Sequence, residues 1–387
     1  MRNFSYYNPT RIIFGKGTIG QLNDQLPKGA TVMMCYGGGS IKRNGVYDQV
    51  MAALEKFEVV EFGGIEPNPD YDTLTGAIDL GREKGVDFVL AVGGGSVIDG
   101  AKLVAAGIPY LEGEPWDIVI EKKKPEIGEP LPLATVLTLP ATGSEMNHTS
   151  VISRRATDEK YAWRSEAMFP VFSILDPTTT FSLPENQVRN GIVDAYIHVM
   201  EQYATYPVDA RLQDRQAEAI LLTLQEIGEQ ALQTPPDYDV RANLMWTATN
   251  ALNKLINQGV PEDWATHLIG HELTAFYGLA HAETLAAVMP HLYRVMQAGK
   301  AEKLTQYGRR VWGLTGDEAT VIREAIARME DFFHRVGMPT TLTTYGINPE
   351  EAAERVRARF EERGTVLGEH GDITPEVAAE ILRMSRD

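Results

Sequence analysis

The sequence predicts a parallel α/β domain over residues 1–182 followed by an all-α domain over residues 183–387. Three observations carry this. The first half alternates short apolar runs with glycine turns and amphipathic stretches, the pattern left by strands that crossover helices bury on both faces. From about Leu183 long helical periodicity takes over. The length, 387 residues, exceeds one ordinary domain of roughly 100–200 residues.

In chain order, residues 31–36, 59–62, 88–92 and 133–139 read as strands, the third as the continuous apolar run Phe88-Val89-Leu90-Ala91-Val92. Leu183-Pro184-Glu185 puts a proline near a helix start and marks the boundary. Helices are expected over 190–203, 211–232, 238–257, 262–277, 317–336 and 349–362. The Lys- and Pro-rich stretch 121–130 reads as an exposed loop. Hydrophobic residues make up 43% and charged residues 23%, enough apolar surface for a packed core and too few like-charge blocks for disorder.

Lys plus Arg number 36 against 53 for Asp plus Glu, a net charge of −17 that repels phosphate backbones and anionic membranes. Neither nucleic acid nor membrane is therefore an expected partner. Residues 1–14 lack the apolar core of a signal peptide, and no stretch approaches the roughly 18 uncharged apolar residues of a membrane span. The expected location is cytoplasmic. The single cysteine, Cys35, permits no internal disulfide and no multi-thiolate zinc site, so any metal must be held by histidines and carboxylates. Cys35 itself reads as a strand residue rather than a nucleophile.

Gly-Gly-Gly-Ser occurs twice, at 37–40 and 93–96, each time after a strand. A strand, then glycines, then a helix points free backbone N–H groups and the positive helix end at an anion, and lets a pyrophosphate approach the backbone. Gly93-Gly94-Gly95-Ser96, continuing as Val97-Ile98-Asp99-Gly100-Ala101-Lys102, fits that geometry without matching the Gly-x-Gly-x-x-Gly or Walker spacing. Two such turns predict a dinucleotide site. The first, Tyr36-Gly37-Gly38-Gly39-Ser40-Ile41-Lys42-Arg43, contains no acidic residue to read ribose hydroxyls and carries two cations, which favours NADP(H) over NAD(H). A third polar turn, from Thr138 to Asn147, suits the carboxyl end of a strand facing a ligand.

Six of the eight histidines lie between His198 and His334. Asp194 and His198 are four apart on one helical face, and so are His267 and His271, with His281 following a glycine turn. Three imidazoles with one carboxylate make a site for Fe(II) or Zn(II), while the spacing leaves open which of His267 and His271 binds and which relays a proton or supports the site. His148, His291, His334 and His370 read as structural or surface residues.

Taken together, these motifs resemble the iron-containing (type III) alcohol dehydrogenase family. The resemblance runs from Asn8-Pro9-Thr10-Arg11-Ile12-Ile13-Phe14-Gly15 through Gly93-Gly94-Gly95-Ser96 and Leu139-Pro140-Ala141-Thr142-Gly143-Ser144-Glu145. It continues through Asp194-Ala195-Tyr196-Ile197-His198 and His267-Leu268-Ile269-Gly270-His271. Tyr36-Gly37-Gly38-Gly39-Ser40 and Glu61-Phe62-Gly63-Gly64-Ile65-Glu66-Pro67-Asn68-Pro69 are most similar to the butanol dehydrogenase and NADPH-dependent aldehyde reductase branch. The resemblance implies a nucleotide domain followed by a helical domain in the dehydroquinate synthase-like fold. It implies Asp194, His198, His267 and His281 as ligands of one divalent metal, with His271 as the proton relay. Gly38 and Ser40 would lie at the adenosine 2′-phosphate, and Gly94, Gly95, Ser96 and Asp99 at the pyrophosphate. Asn68, Thr138, Thr142, Asn147 and Lys160 would complete the cofactor site.

The implied reaction is reversible hydride transfer between NAD(P)(H) and a primary alcohol or its aldehyde, such as butanol and butanal, in a homodimer or larger homo-oligomer. A dehydroquinate-synthase-like lyase would share the fold, but it needs a basic pocket that the helical-half motifs do not offer. A non-catalytic nucleotide-binding protein would have no use for the complete set of four ligands.

Overall fold

The computed structural model describes residues 1–120 and 128–386, which form two compact units. One comprises Tyr7–Gln187 with Thr234–Thr249. The other comprises Met1–Tyr6, Val188–Gln233 and Asn250–Asp387. Residues 121–127 of the expected 121–130 loop lie outside the described residues.

The first unit is built on a six-stranded, wholly parallel sheet. Its strands are β1 (Arg11–Phe14), β2 (Thr31–Tyr36), β3 (Glu58–Phe62), β4 (Phe88–Gly94), β5 (Leu133–Leu139) and β8 (Phe172–Leu175), in the order β1-β8-β5-β4-β2-β3. A separate antiparallel hairpin joins β6 (Thr149–Arg154) to β7 (Glu159–Arg164). Side chains alternate between the two faces of the sheet, and both faces are covered. Met33, Cys35, Val89, Ala91 and Leu137 enter one apolar core, while Val32, Met34, Leu90, Val92 and Val136 enter the other. This double burial is why β2, β4 and β5 read as unbroken apolar runs. The strands absent from the sequence expectation are those without such a run: β1 is a half-exposed edge of four residues, β8 has only four residues, and β6 and β7 are rich in Thr, Ser, Lys and Arg.

The main segment of the sheet unit ends at Gln187, and that unit also takes in the Tyr238–Ala251 helix up to Thr249. There Met245 enters the apolar core, Arg241 donates to the Thr180 carbonyl at 2.8 Å, and the Thr249 hydroxyl donates to Glu145 at 2.5 Å. The second unit is helical. Its principal helices are Glu185–Tyr203, Arg211–Ala231, Ala265–Tyr277, His281–Met296, Ala301–Val311, Glu318–Arg335, Pro349–Arg363 and Pro375–Arg383. Among the described residues no helix is long and apolar enough to cross a membrane.

Candidate functional site

In the helical unit, Asp194 and His198 project from one face of the Glu185–Tyr203 helix, as their four-residue spacing requires. The Ala265–Tyr277 helix carries His267 and stops at Gly278, whose positive φ of 70° closes the last turn. After Leu279 and Ala280, His281 opens the next helix, and the Glu283 carboxylate accepts the Ala280 N–H at 3.1 Å. The two helices approach closely because Gly270 has no Cβ; one there would lie 2.8 Å from Thr284 Oγ1. This hairpin returns His281 to His267, with ring centroids 5.1 Å apart.

Asp194 Oδ1 stands 3.6 Å from His198 Nε2, 4.0 Å from His267 Nε2 and 3.7 Å from His281 Nε2. Asp194, His267 and His281 each present a donor atom within 4.8 Å of the others. Donors at about 2.0–2.2 Å from a tetrahedral ion stand about 3.3–3.6 Å apart, so the Asp194 separations lie within a few tenths of an ångström of that spacing, and imidazole with carboxylate suits Fe(II) or Zn(II). The donor set therefore fits one divalent metal. His271 is buried on the same helix, its ring 5.6 Å from that of His281, and it is not one of the three clustered donors.

Sequence reasoning missed Glu201. It lies three residues after His198 on the same helix, fully buried, and its carboxylate bonds His267 through both the ring Nδ1 and, at 3.2 Å, the backbone N–H. Burial, reinforced by the negative charge of Asp263, pushes its pKa well above the usual carboxylate range, against the opposing hydrogen bonds from His267 and Thr266. The spacing from Asp194 and His198 was the available signal, since all three share one helical face.

In the sheet unit, β4 runs into the Gly95–Gly107 helix, whose N-cap Gly94 is extended and gives no side-chain cap. The first N–H groups of that helix thus have no side-chain cap from its N-cap residue. A Cβ on Gly94 would lie 2.8 Å from Leu139, and one on Gly95 2.5 Å from Thr142, so only glycines let this turn pack on the third turn. A Cβ on Gly38 would meet nothing within 4 Å, leaving that turn open. A glycine cradle with uncapped N–H groups fits a dinucleotide phosphate.

Around this cradle Ser96 Oγ accepts the Asn68 N–H at 3.3 Å, and Lys160 donates to Asn68 Oδ1 at 2.9 Å. Thr142 Oγ1 accepts the Ser144 N–H, while the Asn147 amide donates to the Thr142 carbonyl. Thr138 is buried on β5 and Ser40 opens the short Ser40–Arg43 helix. Asp99 faces inward: Ser144 Oγ donates to it at 2.6 Å and the Val151 N–H at 2.9 Å. Sequence reasoning missed Lys102, which is wholly buried and donates to Ser144, Asn147 and the Thr149 carbonyl, tying the third turn to the Gly95–Gly107 helix. Asp99 and Lys102 thereby brace the turns from beneath.

The remaining singled-out residues have structural partners. His291 Nε2 lies 3.0 Å from the Thr340 carbonyl and His334 Nε2 3.0 Å from Thr340 Oγ1. His148 packs on Phe169 and His370 stacks on Tyr206. Burial pushes the Cys35 thiol up to about 12, which makes it a core residue without thiolate reactivity.

Two family models cover the chain: iron-containing alcohol dehydrogenase over residues 9–177, and the C-terminal region of the Fe-containing alcohol dehydrogenase family over 189–384. The chain is 52% identical to the NADPH-dependent aldehyde reductase YqhD of Escherichia coli, covering 100% of both chains. It is 41% identical to NADH-dependent butanol dehydrogenase B of Clostridium acetobutylicum, covering 99% of both. Among solved structures, E. coli YqhD matches with a TM-score of 0.97, covering 100% of this chain and 99% of that one at 52% identity. The NADH-dependent butanol dehydrogenase A of Thermotoga maritima matches with a TM-score of 0.93 at 37% identity, covering 100% and 99%.

Proposed function

This chain belongs to the iron-containing alcohol dehydrogenase family, and we propose that it interconverts small primary alcohols and aldehydes, such as butanol and butanal, by hydride transfer with NADP(H) in preference to NAD(H). The observation that carries this reading is the convergence of three imidazole Nε2 atoms on Asp194 Oδ1. The identity to an NADPH-dependent aldehyde reductase supports the substrate class and the cofactor.

Asp194, His198, His267 and His281 hold the metal. When bound, a divalent ion supplies a Lewis acid that polarises the substrate oxygen. The dinucleotide supplies or accepts the hydride. The chain's own work is to place and protect these groups. Glu201 fixes the orientation of His267, and His271 carries the alcohol proton away from the buried donor cluster. Backbone N–H groups of the Gly93-Gly94-Gly95-Ser96 turn hold the pyrophosphate, and Gly38 and Ser40 flank the adenosine. Thr138, Thr142, Asn147, Lys160 and Asn68 line the rest of the cofactor's path, with Asp99 holding the third turn in place. The protein works as a cytoplasmic homodimer or larger homo-oligomer, which sedimentation of the purified chain checks.

The direct test is anaerobic purification with metal analysis, followed by NADPH oxidation with a short aldehyde series. One divalent ion per chain and steady NADPH consumption are expected. Metal-free protein, or no net cofactor turnover with any aldehyde, would sink the reading.

A further inference from the structure

The first glycine turn carries an acidic neighbour that the linear sequence hides. β3 lies beside β2 with Met34 opposite Glu61 and Cys35 opposite Phe62. Beyond β3 the chain stays joined to the turn: the Gly64 N–H donates to the Gly37 carbonyl at 3.1 Å and the Ile65 N–H to the Tyr36 carbonyl at 3.2 Å. Gly63 accommodates the Tyr36 ring, since a Cβ there would sit 2.4 Å from it. The end of β3 and the 37–40 turn are therefore one braced structure.

On it stands a four-residue cluster. The Tyr36 hydroxyl donates to Glu61 Oε2 at 3.0 Å and the Tyr47 hydroxyl to Glu61 Oε1 at 2.7 Å. The Lys42 ammonium lies 3.3 Å from Glu61 Oε2 and sits over both rings, 4.9 Å from the Tyr36 centroid and 4.6 Å from that of Tyr47. The Tyr47 hydrogen bond, aided by Tyr36 and Lys42 and opposed by burial, holds the Glu61 carboxyl below its usual range, so it is a carboxylate at neutral pH. Both Glu61 oxygens are already engaged, and Lys42, two residues past Ser40, has a counter-ion.

We propose that Glu61 sets the dinucleotide selectivity of this site by competing with the adenosine 2′-phosphate for Lys42. The inference rests on the reading of residues 37–43 as the adenosine end of the dinucleotide site. A 2′-phosphate approaching Ser40 meets a cation whose charge Glu61 already partly neutralises. NADH, which lacks that phosphate, is indifferent to the pair. Glu61 thus restrains the preference for NADP(H) that Lys42 creates, and the Tyr36 and Tyr47 hydroxyls keep it from turning toward the ribose.

The test is calorimetric binding of NADPH and NADH to the unmodified protein and to Glu61→Gln, Lys42→Met and the double variant. Glu61→Gln is isosteric and keeps an acceptor for the tyrosines. It is expected to tighten NADPH about 3- to 5-fold, the scale of a half-exposed charge pair, and to leave NADH unchanged. Lys42→Met is expected to weaken NADPH selectively, and the gain from Glu61→Gln should vanish on that background. Several results overturn the inference alone: an unchanged NADPH-to-NADH ratio in Glu61→Gln, an equal loss of both ligands, or the same gain without Lys42. If the unmodified protein binds neither dinucleotide, the dinucleotide reading falls and the inference falls with it.

Discussion

His267 is held between two carboxylates: its Nδ1 bonds Glu201, and its Nε2 faces Asp194 Oδ1 at 4.0 Å. When Glu201 is ionised, as the positive charge of a bound metal would favour, its carboxylate accepts the Nδ1 proton and leaves the Nε2 lone pair for the donor cluster. The backbone N–H of His267 bonds the same Glu201 side chain, so the ring and its helix are positioned together. Glu201→Gln keeps the shape but presents an amide that can offer an N–H where an acceptor is needed. Metal affinity, measured by competition with a chromogenic chelator, should fall about 10- to 100-fold while the circular dichroism spectrum is unchanged. Unaltered affinity would show that His267 needs no such partner.

His271 adjoins the donor cluster without joining it, with its ring 5.6 Å from His281 and 6.4 Å from His267. On the proposed reading it moves a proton and leaves the ion to the other histidines. His271→Gln should keep one metal per chain and lose about 10²-fold in turnover, the lower end of what general acid–base catalysis contributes. Metal loss in the variant would reassign His271 to the donor set, and undiminished turnover would remove it from the reaction.

The parts of this molecule legible in the sequence are those whose signal is local. β2, β4 and β5 are buried on both faces and so are continuous apolar runs, and the Asp194–His198 pair follows from helical spacing alone. What was hidden depends on distant partners. β8 becomes a strand because β1 and β5 pair with its two edges. Lys102 looks like an ordinary helix lysine until the 144–149 segment folds over it. Glu61 and Lys42 are nineteen residues apart and meet only because β3 pairs with β2, which is why the first turn reads as purely basic in one dimension. The partner of a helix is hidden in the same way: Tyr238–Ala251 is a helix in the second half of the chain, but Met245 finds its core in the sheet unit.

Gly95 tests the nucleotide turn. Alanine is intrinsically the better helix former by about 1 kcal/mol, so an exposed helix start would gain from the change. Here the added Cβ would lie 2.5 Å from both Thr142 Cγ2 and Thr142 Oγ1, and the third turn must move. Gly95→Ala should therefore destabilise the sheet unit by about 1–3 kcal/mol in denaturant titration, as overpacking does, and weaken NADPH binding by at least about tenfold. A variant as stable and as tight-binding as the unmodified protein would mean the turn yields freely and does not shape the cofactor site.

The Lys300 cluster gives the helical unit a pH dependence whose sign can be worked out. Its ammonium donates to Asp263 Oδ2 at 2.8 Å, to Glu369 at 2.7 and 2.9 Å, and to the Ala204 carbonyl at 3.0 Å. All three charged side chains are at most 5% exposed, so two carboxylates share one cation in a buried site. Burial, with the bond to Asp263 and its charge adding to it, pushes Glu369 up to about 7, and the attraction of Lys300 opposes this. Asp263 moves the other way: burial acts to raise it, but the Glu369 hydrogen bond and Lys300 bring it below its usual value. Between the ordinary value of 4.5 and about 7, the folded chain binds more protons at Glu369 than the unfolded chain does. The Glu369 contribution is therefore complete below pH 4.5 and is lost as the pH rises through about 7, whereas that of Asp263 is lost only in stronger acid. Glu369→Gln mimics the protonated form at every pH. Relative to this variant, the unmodified protein should lose on the order of 2 kcal/mol of stability between pH 5 and pH 8 in parallel denaturant titrations. A difference that stays constant across that interval would show that Glu369 ionises in the folded chain as it does in the unfolded one.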